Sequence, residues 1–197
     1  MLCNRTTTTH RLVLDTDIGS DVDDALALGV LLGSSDVELL GCTTVYGDTV
    51  LRARIASRLI RLAGRDPEQI PCIPGASQPL SGRKIWWGGH EGTLYEQLDR
   101  ESVDGTVPGY EWLARRVAQE PGQLDIVAIG PLTNIALAIR FDPAFVTNVR
   151  RLWIMGGRYD DSTSPAEHNF ISDSVAAAEV ISSGIPLTIT GLELTQQ

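Results

Sequence analysis

Apolar residues fall along this chain in two kinds of run, and the two alternate. Short stretches rich in leucine or β-branched residues, bounded by polar ones, predict buried strands at Leu12–Leu14, Val37–Val45, around Ile73, Leu124–Ile129, Val149–Met155 and Leu187–Leu194. Between them the apolar spacing is helical. One helix opens at Ala25-Leu26-Ala27-Leu28. A second carries Leu51, Ile55, Leu59, Ile60 and Leu62 on one face, with its arginines on a solvated opposite face and a stop at Gly64. Further helices are predicted over Glu111–Gln119, from Pro131 in a first turn to Arg140, and over Ser174–Ser183, capped by Asp173 and ended by Gly184. Strand followed by helix, repeated, predicts an α/β fold: an open, mostly parallel sheet with helices on both faces.

Residues 76–107 fit neither pattern. They carry Gly82, Gly88, Gly89, Gly92 and Gly105, with Trp86-Trp87 and His90-Glu91 between them. Long loops in compact domains are usually functional or disordered. The adjacent tryptophans could stack on a flat ligand, or one could plug the core while the other covers it. His90 is a candidate ligand contact by the same reasoning, or an ordinary surface histidine.

Composition narrows the class. A chain of 197 residues with 43% hydrophobic and 21% charged positions suits one soluble globular domain, over 11–197, with residues 1–10 as a loose tail. A net charge of -9 argues against a nucleic-acid partner. The N-terminus has no apolar signal-peptide core, and no run is long enough to span a membrane. Cys3, Cys42 and Cys72 are odd in number and lack metal spacing, so they read as reduced thiols of a cytoplasmic protein.

The stretch from Leu12 to Leu28 holds five carboxylates, Asp15, Asp17, Asp21, Asp23 and Asp24, where a strand gives way to a helix. In open α/β sheets ligands bind at such strand ends. Acids this close repel one another, and a hard divalent ion, Ca²⁺ or Mg²⁺, removes the repulsion. Gly19 lets the backbone turn between them. The plainer alternative is an acidic turn with Asp21 or Asp23 as helix N-cap, which needs one aspartate. An EF-hand is excluded. Counting from Asp15, Ser20 stands where that loop needs Gly, and Leu26 where it needs Glu. A Mg²⁺-dependent phosphatase of the haloacid-dehalogenase type, with Asp15 as nucleophile, is a second possibility. Gly19 and the presence of a single lysine, Lys84, weigh against it.

Five motifs in order resemble the inosine-uridine nucleoside hydrolase family: the DTDIG…DVDDA stretch, TTVYGD at Thr43–Asp48, GPLTN after Ile129, IMGG at Ile154–Gly157 and AEHN at Ala166–Asn169. The resemblance implies a Rossmann-like core that hydrolyses ribonucleosides to ribose and free base. It implies Ca²⁺ held by Asp17, Asp24 and the Ile129 carbonyl, with Asp17 activating a water. It implies substrate contacts from Asp23, Asp48, Met155, Glu167 and Asn169, and a homo-oligomer. Two departures stand out. The loop before AEHN carries Asp160 and Asp161 where some relatives place a ribose-binding asparagine. The family's further C-terminal portion, with a metal-binding aspartate and often a proton-donating histidine, has no match here. The expectation is a C-terminally incomplete family member that catalyses poorly, with a non-catalytic nucleoside-binding protein as the other outcome.

Overall fold

The computed structural model describes residues 9–160, 163 and 165–197. Cys3, most of the expected tail and Asp161 lie outside them. Six strands form one sheet: β1 (His10–Thr16), β2 (Val37–Thr44), β3 (Cys72–Pro74), β4 (Leu124–Ala128), β5 (Val149–Met155) and β6 (Leu187–Thr190). Every neighbouring pair is parallel, in the order β3-β2-β1-β4-β5-β6. Parallel neighbours need crossovers, and helices supply them: α1 (Asp23–Gly33), α2 (Thr49–Leu62), α3 (Gly109–Gln119), α4 (Thr133–Phe141), α5 (Phe145–Asn148), α6 (His168–Ser172) and α7 (Ser174–Ser182); α8 (Leu192–Thr195) follows the last strand.

Two cores sandwich the sheet. On β1, Leu12 and Leu14 pack with Leu28 of α1 and Ile55 and Ile60 of α2. Val13 faces the other way, into a core built with Leu113 of α3, Ile135 of α4 and Val180 of α7. Side chains alternate across a strand, so a strand covered on both faces reads as the unbroken apolar run seen in the sequence. On the α1 side the cover thins past β1. Trp153 of β5 is 43% exposed there and joins Thr188 of β6 in lining an open cleft.

Several expectations shift. His10 belongs to β1 rather than to a tail, and its N–H donates to the Asp36 carbonyl at 2.7 Å. α1 begins at Asp23, two residues before Ala25, and neither Asp21 nor Asp23 is its N-cap. Val22 holds that position without a side-chain cap bond. The last strand stops at Thr190; Gly191 turns the chain into α8, so Leu192–Leu194 is helical. The arginines of α2 are not uniformly solvated, since Arg52 is fully buried. Asp173 does cap α7, accepting from the Ala176 N–H at 3.2 Å. Segment 76–107 is irregular apart from one 3-10 turn at Leu98–Arg100.

Candidate functional site

The strand order reverses direction between β1 and β4, and a crevice opens beyond their C-terminal ends. It is a cleft of about 640 Å³. Asp17, Asp21, Asp23 and Asp24 line one wall; Met155, Glu167, His168 and Asn169 line the opposite one; Trp86, Trp87 and Ile129 also reach it.

The five aspartates do not converge on one point. Asp15 lies inside β1, fully buried, where Oδ1 accepts from Thr43 Oγ1 at 2.6 Å and from Asn134 Nδ2 at 2.7 Å. Burial pushes its carboxyl up to about 7. The two donors pull it down and the nearby charge of Asp17 adds to the rise. Asp17 follows the strand in the turn and faces the cleft, mostly buried. Asp24, on the first turn of α1, is buried and accepts from Thr16 Oγ1 at 2.8 Å. Burial, then the charge of Asp17, drives its carboxyl well above the usual range. Asp21 is pushed up to about 7, first by its hydrogen bond to Asp23, then by burial. Asp23 is exposed and accepts from the Asp24 N–H at 3.0 Å.

Two glycines make the approach possible. Gly19 turns the acidic segment at φ +114°, a conformation that side-chain-bearing residues rarely adopt. Gly130, just past β4, touches Asp17 so closely that a Cβ there would sit 2.8 Å from Asp17 Oδ1.

The opposite wall is α6 and its entry. Glu167 is the N-cap: Oε1 accepts from the Asn169 N–H at 2.5 Å, and Oε2 from Phe170 and Gly157 N–H groups at 3.0 and 2.8 Å. Asn169 Nδ2 donates to the Ile129 carbonyl at 2.8 Å and to the Met155 carbonyl at 3.2 Å. Glu167, Asn169, Met155 and Ile129 are therefore brought together at the cleft. Asp48 does not join them. The turn through Tyr46 and Gly47, at φ +69° and +75°, carries it to the N-cap of α2, where it is exposed and accepts from the Leu51 N–H at 2.9 Å. His90 also stays outside the cleft wall, its Nε2 2.8 Å from the Ser20 carbonyl oxygen.

One residue of the cleft and two behind it escaped the sequence reading. His168 is one, between two residues that the AEHN motif singled out. Its Nε2 is buried without a hydrogen-bond partner, 3.6 Å from Asp17 Oδ2. Its ring is tilted over Trp86 at 4.9 Å and meets Tyr46 edge-on at 5.6 Å. Arg52 and Glu91 are the others, an ion pair of 2.8 Å with both side chains buried behind the acidic turn. The tryptophans resolve in favour of the cleft. Trp86 and Trp87 are 51% and 42% exposed, so neither plugs the core.

A family model described as inosine-uridine preferring nucleoside hydrolase matches residues 12–197. The chain belongs to this family. It is 30% identical over 197 residues to a probable uridine nucleosidase 1 of Oryza sativa subsp. japonica, a match covering 95% of this chain and 60% of that protein. It is 31% identical over 196 residues to a pyrimidine-specific ribonucleoside hydrolase, RihB, of Escherichia coli O9:H4 (strain HS), covering 95% and 61%. Among solved structures it is similar to a plant nucleoside hydrolase, the PpNRh1 enzyme, with a TM-score of 0.83 at 30% identity, covering 95% of this chain and 61% of that one. The chain thus spans about 60% of the length of these relatives.

The donor chemistry of the cleft suits a hard cation. Asp17, Asp24 and the Ile129 carbonyl offer only oxygen, and the upward push on Asp24 from its neighbour is what a cation relieves. The set is partial. No three His, Cys, Asp or Glu side chains among the described residues converge as a metal cluster. Cys42 and Cys72 are buried free thiols on neighbouring strands, away from the cleft. No helix among the described residues is long and apolar enough to cross a membrane.

Proposed function

We propose that this site hydrolyses the N-glycosidic bond of ribonucleosides, giving ribose and a free base. The observation that carries the reading is the meeting of Asp17 and Asp24 with Glu167, His168 and Asn169 across one cleft. Asp17, Asp24 and the Ile129 carbonyl would hold Ca²⁺. That ion, when bound, supplies charge that grips the vicinal 2′- and 3′-hydroxyls and acidifies a water. Asp17 accepts the proton from the water attacking C1′. The carboxylates around it favour the positive charge that develops on the sugar. Asp23, Glu167 and Asn169 orient the ribose and Met155 packs beside it. Glu167 already caps α6, yet a carboxylate has about four acceptor sites, so it can still take a hydroxyl.

Ca²⁺ takes about 6–8 oxygens, and with one oxygen from each carboxylate these three groups and a diol fall short of that. We infer that the 197 residues alone hold it loosely and turn over slowly. A cytoplasmic location and a homo-oligomer belong to the same reading, on the reduced thiols and the family resemblance. The phosphatase alternative loses support because Asp15 is sealed beneath Thr43 and Asn134, away from the cleft.

The test is base release from uridine, cytidine, inosine and guanosine, with Ca²⁺ and with chelator, on this chain and on a version carrying a relative's remaining length. Ca²⁺-dependent release, stronger in the longer version, is expected. Saturable nucleoside binding with no release in either would instead establish a binding protein.

A further inference from the structure

We propose that Arg52 is a positioning residue that locks the acidic turn and the tryptophan loop together, with Glu91 as its anchor in the loop. Only the kinetic part of the test rests on the nucleoside-hydrolase reading.

Arg52 lies on the first turn of α2 with its side chain 0% exposed. Its guanidinium spends its N–H groups on three separate segments. Nε donates to the Tyr46 carbonyl at 2.7 Å. Nη1 donates to the carbonyls of Asp17 and Ile18, the latter at 3.0 Å, and to Ser20 Oγ at 3.0 Å. Nη2 donates to Ser20 Oγ at 3.0 Å and to Glu91 Oε1 at 2.8 Å. One planar fork therefore holds the carbonyls of two consecutive peptides, Asp17–Ile18 and Ile18–Gly19, and a carboxylate of the loop that presents Trp86 and Trp87.

The loop side is equally tied. Glu91 Oε2 accepts from the Gly89 N–H at 2.7 Å, closing the tip of the loop. The Trp86 N–H donates to Tyr46 Oη at 3.1 Å, and Tyr46 is the residue whose carbonyl Arg52 holds in a left-handed conformation. Turn and loop also touch: a Cβ on Gly19 would lie 3.3 Å from Glu91 Cβ. A buried ion pair is weak grounds for stability, because desolvation offsets its attraction. What this pair adds is geometry. Five donors in a rigid fork can satisfy three segments at once, whereas the compact ammonium of lysine cannot span them.

Hydrogen–deuterium exchange on the 197-residue chain decides the matter without requiring metal or turnover. Arg52→Lys is expected to speed exchange in residues 17–21 and in 85–91, with β4 and α4 unchanged. Glu91→Gln leaves the guanidinium on the turn, so it should speed 85–91 alone, by at least about fivefold. His90 still ties the loop to Ser20 in both variants, so the loop loosens rather than detaches. Arg52→Lys loosening only one segment, or neither, overturns the coupling. If Arg52→Lys unfolds, the Glu91→Gln arm decides: wild-type exchange in 85–91 overturns the proposal and selective loosening supports it. Where the protein releases base, Glu91→Gln should raise KM with kcat unchanged, a split that general destabilisation does not give. Where it releases none, the exchange pattern still stands or falls alone, so a failed hydrolase reading is told apart from a failed coupling.

Discussion

His168 Nε2 stands 3.6 Å from Asp17 Oδ2, with its ring held between Trp86 and Tyr46. That is too long for a direct hydrogen bond. The ring is packed, and its Nε2 is buried without a hydrogen-bond partner. His168→Phe keeps the packing and removes the nitrogen. It should leave stability within about 1 kcal/mol and lower base release by about 10- to 100-fold, the cost of a misplaced reacting group. Thermal melts and kcat on the active, longer version check both. An unchanged kcat would remove His168 from the reaction.

Asp17 and Asp24 should act as a pair toward Ca²⁺. Calorimetric titration of the wild type is expected to show one site, weakened by Asp17→Asn and by Asp24→Asn. Asp17→Ala should also cut base release by at least about 10²–10⁴-fold, the usual worth of a general base. Equal Ca²⁺ binding in wild type and both asparagine variants would refute the assignment of these ligands.

Gly130→Ala tests the close approach of β4 to the acidic turn. The added methyl would meet Asp17 Oδ1 at 2.8 Å, with the Asp17 nitrogen and Val45 Cγ1 each at 2.9 Å. Overpacking of this kind costs about 1–3 kcal/mol, and the side chain most easily displaced is Asp17. The expected result is a folded protein with a modestly lowered Tm and weakened Ca²⁺ binding. Wild-type affinity in the alanine variant would mean that Asp17 does not need this contact.

Glu101, buried just after the 3-10 turn at Leu98–Arg100, gives a pH dependence outside the cleft. Burial alone would raise its carboxyl, but the hydrogen bond and charge of Arg61, then those of Arg58, outweigh it and hold it below the ordinary range. Its folded pKa lies below the unfolded value of about 4.3, so its stabilising contribution is complete above that pH and fades as pH falls through the folded pKa. Glu101→Gln should therefore be less stable than wild type at neutral pH, with the gap closing below about pH 4. Denaturant melts between neutral and acid pH measure it; a gap that stays constant would mean the pair adds nothing.

The sequence by itself determined the strands, most of the helices, the sheet's parallel character and the place of the acidic turn. Those depend on local periodicity: Leu12–Leu14 and Ile126–Ala128 are apolar without interruption because both faces of their strands are covered. Its ordered motifs also implied that Asp17, Asp24, Glu167 and Asn169 lie together, and all four line the same cleft. Only the tertiary structure decided how those groups are placed. Nothing in the spacing of five aspartates says that Asp15 is sealed under Asn134, a residue 119 positions away, while Asp17 faces the cleft. The periodicity of α2 put Arg52 on a polar face, yet the carbonyls of Asp17, Ile18 and Tyr46 needed donors, and a buried guanidinium supplied them. Asp48 was matched to the ribose by its motif, but two left-handed residues before it redirect the chain into a helix cap. Burial and long-range hydrogen bonding are properties of the folded assembly, and a one-dimensional pattern does not carry them.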